Sequence, residues 1–218
     1  MNKNLTEMVF ILDRSGSMAC LEDDTIGGYN SLIEKHRNDE NEVIITTVLF
    51  DTQYNMIHDN ENIKCIEPMT KREYYARGNT ALYDAIGKTI KYINHKNDLK
   101  AKENLPSKTM VVIITDGYEN ASKMYNGMQI KRMICEQKKI YGWEFVFLGA
   151  NIDAEEYASD IGIEPNRSVT YKADSRGTQI NFECLSEAFS CFCKEGKVGS
   201  KWKNKISQYA KEIEKSDK

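Results

Sequence analysis

The sequence has little that would carry it into or across a membrane. Ahead of Asp13, the stretch MNKNLTEMVFILD holds one lysine and an apolar run of only five residues, Met8 to Leu12. That is far short of a signal-peptide core or of the roughly 20 residues a membrane span needs. Cytoplasmic residence, with no membrane contact, is the expectation. The six cysteines, at 20, 65, 135, 184, 191 and 193, include no CxxC pair, which argues against a zinc site and leaves thiols in a reducing compartment. Neither GxGxxG nor GxxxxGK occurs, and there is no GxSxG elbow, so nucleotide phosphates and serine-hydrolase chemistry have no visible cradle. Histidine is scarce: His36, His58 and His95 fall on a helix face, an edge region and a helix end, poor places for a general base. Net charge is only −3, so nothing global marks a nucleic-acid partner.

What is present is ordinary globular material, 40% hydrophobic and 29% charged over 218 residues. One α/β domain of that size buries roughly 70–75% of its unfolded surface. Apolar runs alternate with helical patterns. MVFILD (8–13) precedes an amphipathic stretch at 24–37 carrying Ile26, Tyr29, Leu32, Ile33 and His36 at helical spacing. EVIITTVLF (42–50) and TMVVIITD (109–116) are continuous and β-branched, as strands buried on both faces are. YNMIHD predicts a short polar edge strand and NIKCIE the turn after it. Residues 80–95 predict a helix opening on a capping threonine. Helices are expected at 126–141, 154–161 and 178–193, with strands at 143–150 and near 167–171.

Such alternation predicts a Rossmann-like doubly wound α/β fold: a mainly parallel sheet with one short antiparallel edge strand and helices on both faces. Ligands of such sheets sit at the carboxyl ends of the strands where strand order reverses. Residues 1–195 are expected to form the domain, with 196–218 a basic terminal helix or tail. From Lys194 onward eight lysines oppose four acids, and Trp202, Ile206, Tyr209 and Ile213 share one helical face that suits docking on the body. Gly27 and Gly28 inside a helix suggest close packing. Gly16 and Gly117 suggest backbone conformations closed to other residues.

The chemistry lies in VFILDRSGSM. Asp13, Ser15 and Ser17 follow directly on a strand and offer hard oxygen donors at alternate positions, and Asp116 ends a second strand in the same way. Such donors suit magnesium or manganese better than zinc. Two carboxylates ~4 Å apart repel by about 4 kcal/mol at a surface-like dielectric, a penalty that a divalent cation removes. Each element also has a plainer account: Asp and Ser cap helices, Thr80 caps the helix after it, and Asp116-Gly117 makes a turn.

Three segments together resemble the von Willebrand factor A domain family. DRSGS (13–17) matches the DxSxS signature, GNTAL (78–82) looks like the threonine loop and ITDGYEN (114–120) looks like the TDG loop, in the right order over roughly residues 6–193. The resemblance implies a metal-ion-dependent adhesion site. Ser15 and Ser17 would bind the ion through their hydroxyls, Thr80 directly or through water, and Asp13 and Asp116 largely through bridging waters. It further implies a non-enzymatic protein-binding module in which Mg2+ (or Mn2+) captures an acidic side chain of a partner protein. Tyr118, Glu119 and Asn120, next along the chain, are candidate partner contacts. The alternative is a magnesium-dependent hydrolase or phosphatase using the same aspartates, although the haloacid-dehalogenase pattern wants an aspartate where this chain has Ser15.

Overall fold

The computed structural model describes residues 2–39 and 41–216. Six strands form one sheet: β1 (Asn2–Asp13), β2 (Glu42–Phe50), β3 (Tyr54–Asn62), β4 (Pro106–Thr115), β5 (Glu144–Ala150) and β6 (Ser168–Tyr171), in the order β3-β2-β1-β4-β5-β6. All neighbours are parallel except β2 and β3. The helices are α1 (Glu22–Arg37), α2 (Leu82–Asp98), α3 (Gly127–Glu136), α4 (Ala154–Asp160), α5 (Ser175–Glu195) and α6 (Asn204–Ser216). No helix among the described residues is long and apolar enough to cross a membrane.

Alternation along β1 explains why its apolar run is unbroken. Met8, Phe10 and Leu12 join a core with Tyr29, Leu32 and Ile33 of α1 and Leu185, Phe189 and Phe192 of α5. Val9 and Ile11 point the other way, into a core with Ile86 and Ile90 of α2, Ile130 of α3 and Ala158 of α4. A strand clothed on both faces needs apolar residues at every position. The tail packs against the first core: Trp202 and Ile206 are buried, the Trp202 indole donates to Asn166 O at 2.9 Å, and the Tyr209 hydroxyl reaches the Asp174 carboxylate. Residues 217 and 218 of that tail lie outside the described residues.

Several local expectations need correction. The antiparallel edge strand spans nine residues rather than six, continuing through Asn60, whose φ of 53° marks an irregularity in the pairing. Thr80 does not cap α2. The helix begins at Leu82, and its first free N–H groups, of Tyr83 and Asp84, donate to Glu119 Oε2 and Ser122 Oγ, caps supplied from a loop nearly 40 residues away. Asn126 does cap α3 through a reciprocal pair with Gln129, but the α-helix ends at Glu136 and passes into a π-turn at 137–141. Neither Gly16 nor Gly117 has positive φ; the left-handed glycine of this region is Gly78, at φ 65°. Gly28 is a packing glycine, since a Cβ there would lie 2.1 Å from the Phe182 ring of α5.

Candidate metal centre

Sheet order brings the loops together. β1 and β4 are the strands between which the order reverses, and the register pairing Leu12 with Ile114 sets Asp13 beside Thr115 and close to Asp116. Asp13 is 1% exposed. Its Oδ1 accepts the Ser15 backbone N–H at 2.7 Å and its Oδ2 accepts the Thr115 hydroxyl at 2.6 Å. The Ser15 and Ser17 hydroxyl oxygens are 3.2 Å apart, and Ser17 donates to Asp116 Oδ1 at 2.6 Å. Asp13, Ser15, Ser17 and Asp116 are therefore one linked set of oxygens.

Thr80 comes to the same edge on its own loop. Its N–H donates to Asn120 Oδ1 at 3.0 Å, its carbonyl accepts the N–H groups of Asn120 and Ala121, and Gly16 N–H donates to Gly78 O at 3.1 Å. The threonine loop is thus stitched both to the serine loop and to the loop after β4. Among the described residues, the Thr80 hydroxyl makes no hydrogen bond to the other four.

Electrostatics separate this site from a set of caps. Burial pushes the Asp13 carboxyl up to about 6, against the pull of the Thr115 and Ser15 hydrogen bonds, and the neighbouring Asp116 charge adds to the rise. Asp116 is also raised, chiefly by burial. The phenols of Tyr74 and Tyr171 are held above the ordinary range, chiefly by burial and further by the charges of the two carboxylates. Among the described residues no Lys, Arg or His side chain pairs with Asp13 or Asp116. Buried carboxylates without a cation are costly, and a hard divalent ion would answer that cost. No three His, Cys, Asp or Glu side chains of the described residues converge, so an ion here must complete its shell with the serine and threonine hydroxyls and water. These donors fit magnesium or manganese.

The candidate contacts after Asp116 divide by role. Tyr118 is 54% exposed and meets Tyr157 edge-on at 5.5 Å. The Glu119 carboxylate accepts from Tyr83 N, Ala121 N and Ser122 N, and Asn120 is bound to Thr80, so both hold the loop in place. The three histidines stand apart from these oxygens: His36 bonds Ser186 and Asp39, His58 bonds Tyr29, and His95 lies in the last turn of α2. Arg14, Asp51, Tyr74 and Arg77, which the three motifs do not single out, surround the loops. Tyr74 OH donates to Asp13 O at 2.5 Å, and the Arg14 guanidinium pairs with Asp51. One signal for them is present in the sequence, because LFD51 ends a buried strand on an aspartate just as FILD13 does.

No family model and no curated protein matches the sequence. Solved structures do match in fold. Proximal thread matrix protein 1 from the mussel byssus, with a zinc-occupied MIDAS motif, superposes at TM-score 0.58 and 13% identity over 85% of this chain and 46% of its own. A von Willebrand factor type A protein from Catenulispora acidiphila gives 0.56 and 11% over 84% of this chain and 42% of its own. The manganese-loaded TRAP protein of Plasmodium vivax gives 0.56 and 14% over 83% and 73%. This chain spans less than half the length of the first two. Its sheet order, its helices on both faces and these superpositions together give it the fold of a von Willebrand factor type A domain.

Proposed function

We propose that the chain is a metal-dependent protein-binding module rather than an enzyme. Asp13, Ser15, Ser17, Thr80 and Asp116 hold Mg2+ or Mn2+, and a carboxylate of a partner protein completes the shell. The observation that carries this reading is the meeting of two buried carboxylates with two serine hydroxyls at the β1 and β4 ends, with no basic side chain among the described residues paired to them. Metal-occupied sites in neighbours of the same fold support it. The bound cation supplies Lewis acidity toward an incoming carboxylate. The chain's residues do the rest: the two aspartates balance the ion's charge formally, the small serines keep the loop low, and Tyr118 offers an exposed ring beside the entrance. All six cysteines are free thiols, which suits the reducing, cytoplasmic setting we propose. Residues 1–195 would form the module, with the tail a packed appendage.

The test uses the metal first and a minimal carboxylate second. Calorimetric titration with Mn2+ should give one site, which the Ser15→Ala, Ser17→Ala pair abolishes without lowering the melting temperature. Acetate should then change the electron paramagnetic resonance spectrum of Mn2+ bound to the wild type. Absence of Mn2+ binding by the folded wild type would end the proposal, and binding without any acetate response would end its second half.

A further inference from the structure

The DRSGS signature contains an arginine for which the metal chemistry has no use. Arg14 lies between two proposed ligands, yet its side chain is 2% exposed and its Nε donates to Asp51 Oδ2 at 2.9 Å, while Nη1 donates to Glu73 O at 2.9 Å. The same Asp51 Oδ2 accepts Nε of Arg77, also at 2.9 Å, and Asp51 Oδ1 accepts Gln53 N–H at 2.7 Å. The Tyr75 ring lies 5.4 Å from the Arg14 guanidinium carbon and 5.1 Å from that of Arg77.

The backbone follows the charges. Arg77 N–H donates to Arg14 O at 2.8 Å, Ala81 N–H donates to Asp51 O at 3.2 Å, and Asn79 N–H donates to Thr52 Oγ1 at 3.0 Å. Gly78, between them, is left-handed, and a Cβ there would lie 2.8 Å from Thr52 Oγ1. Segments 14–17, 51–53 and 75–81 are therefore laced into one unit. The charged atom they share is Asp51 Oδ2. Its place follows from strand order: β2 lies beside β1 with Asp13 opposite Phe50, so the next residues, Arg14 and Asp51, come side by side.

We infer that Asp51 is a positioning residue for the metal site, fixing the Ser15 and Ser17 hydroxyls relative to Thr80 by gathering Arg14 and Arg77 on one carboxylate oxygen. The inference rests on the metal reading above. Its physical content is twofold. Without Asp51 the threonine loop loses its ionic tie to the serine loop. The Arg14 guanidinium, buried in the middle of the serine loop, is also left without its counter-ion, a costly state. Relief of that cost moves the segment 14–17 that carries Ser15 and Ser17.

Mn2+ affinity of the full chain, measured by calorimetry together with the paramagnetic resonance line shape of the bound ion, tests this. Loss of a residue that orients metal ligands from outside the shell weakens binding by about 10- to 100-fold, and that loss is expected for Asp51→Asn, with a broadened line from a less regular shell. Arg77→Gln, at a half-exposed position, should weaken binding in the same direction, and Arg77→Lys should restore most of it. Each variant is compared under conditions where circular dichroism shows it folded. If the wild type binds and folded Asp51→Asn loses less than about tenfold in affinity, the inference is overturned. Should Asp51→Asn fail to fold, Arg77→Gln binding as tightly as the wild type overturns it equally. A wild type that binds no Mn2+ refutes the metal reading itself, and this inference with it.

Discussion

Glu7 sits where an ionised carboxylate is hard to sustain, and replacing it with glutamine should stabilise the protein in a pH-dependent way. It occupies central strand β1, opposite Ile44 on one side and Thr109 on the other, and is 0% exposed. Among the described residues its oxygens receive two long hydrogen bonds, from Thr46 Oγ1 at 3.4 Å and Thr109 Oγ1 at 3.3 Å. Burial pushes its carboxyl up to about 7 from the ordinary 4.5, against a smaller pull from Lys100 and the two threonines. The folded protein therefore keeps a proton that the unfolded chain releases, and stability falls as pH rises from 4.5 through 7. At about 1.4 kcal/mol per pH unit of displacement, the loss is about 3 kcal/mol once Glu7 is ionised in the fold. Glutamine is never ionised and keeps the contacts to both hydroxyls. For a chain of this length Glu7→Gln should raise the melting temperature at pH 8 by roughly 6–12 °C, at about 2–4 °C per kcal/mol, and change it little at pH 5. Calorimetric melts of both proteins at the two pH values measure the difference, in which other titrating groups cancel. An equal shift at pH 5 and pH 8, or a lower melting temperature at pH 8, would refute the reasoning.

Two further outcomes test packing. Gly28→Ala drives a methyl into the Phe182 ring and should cost about 1–3 kcal/mol of unfolding free energy by denaturant titration, with Phe182→Leu in the same chain recovering part of it; an unchanged midpoint would show that α1 and α5 are not in close contact there. Trp202→Ala removes a buried indole and its bond to Asn166 O, and should cost about 3–5 kcal/mol while speeding proteolysis near residue 200. Equal stability and equal proteolysis would mean that the tail is not part of the cooperative unit.

The β-branched run 42–50 was legible to its limits because a strand covered on both faces is apolar throughout; the run 109–116 located β4, which nonetheless begins three residues earlier, in PSK, and ends at Thr115. The helical stripes of α1 and α5 were legible in the same way. The far end of β3 was not, because DNEN has no apolar alternation and its pairing is held by the neighbouring strand. The start of α2 differs from the local expectation since its caps arrive from Glu119 and Ser122, a tertiary fact invisible in the string TALYD. The sequence by itself determined which hard oxygens exist and that each group follows a buried strand. Only the tertiary structure decided which charges meet. The β1 and β4 register joined Ser17 to Asp116, and the β1 and β2 register gave Arg14 to Asp51. Charge neutralisation depends on neighbours in space, so the one arginine inside the motif could not be read as unavailable to Asp13 until the strand beside it was in place.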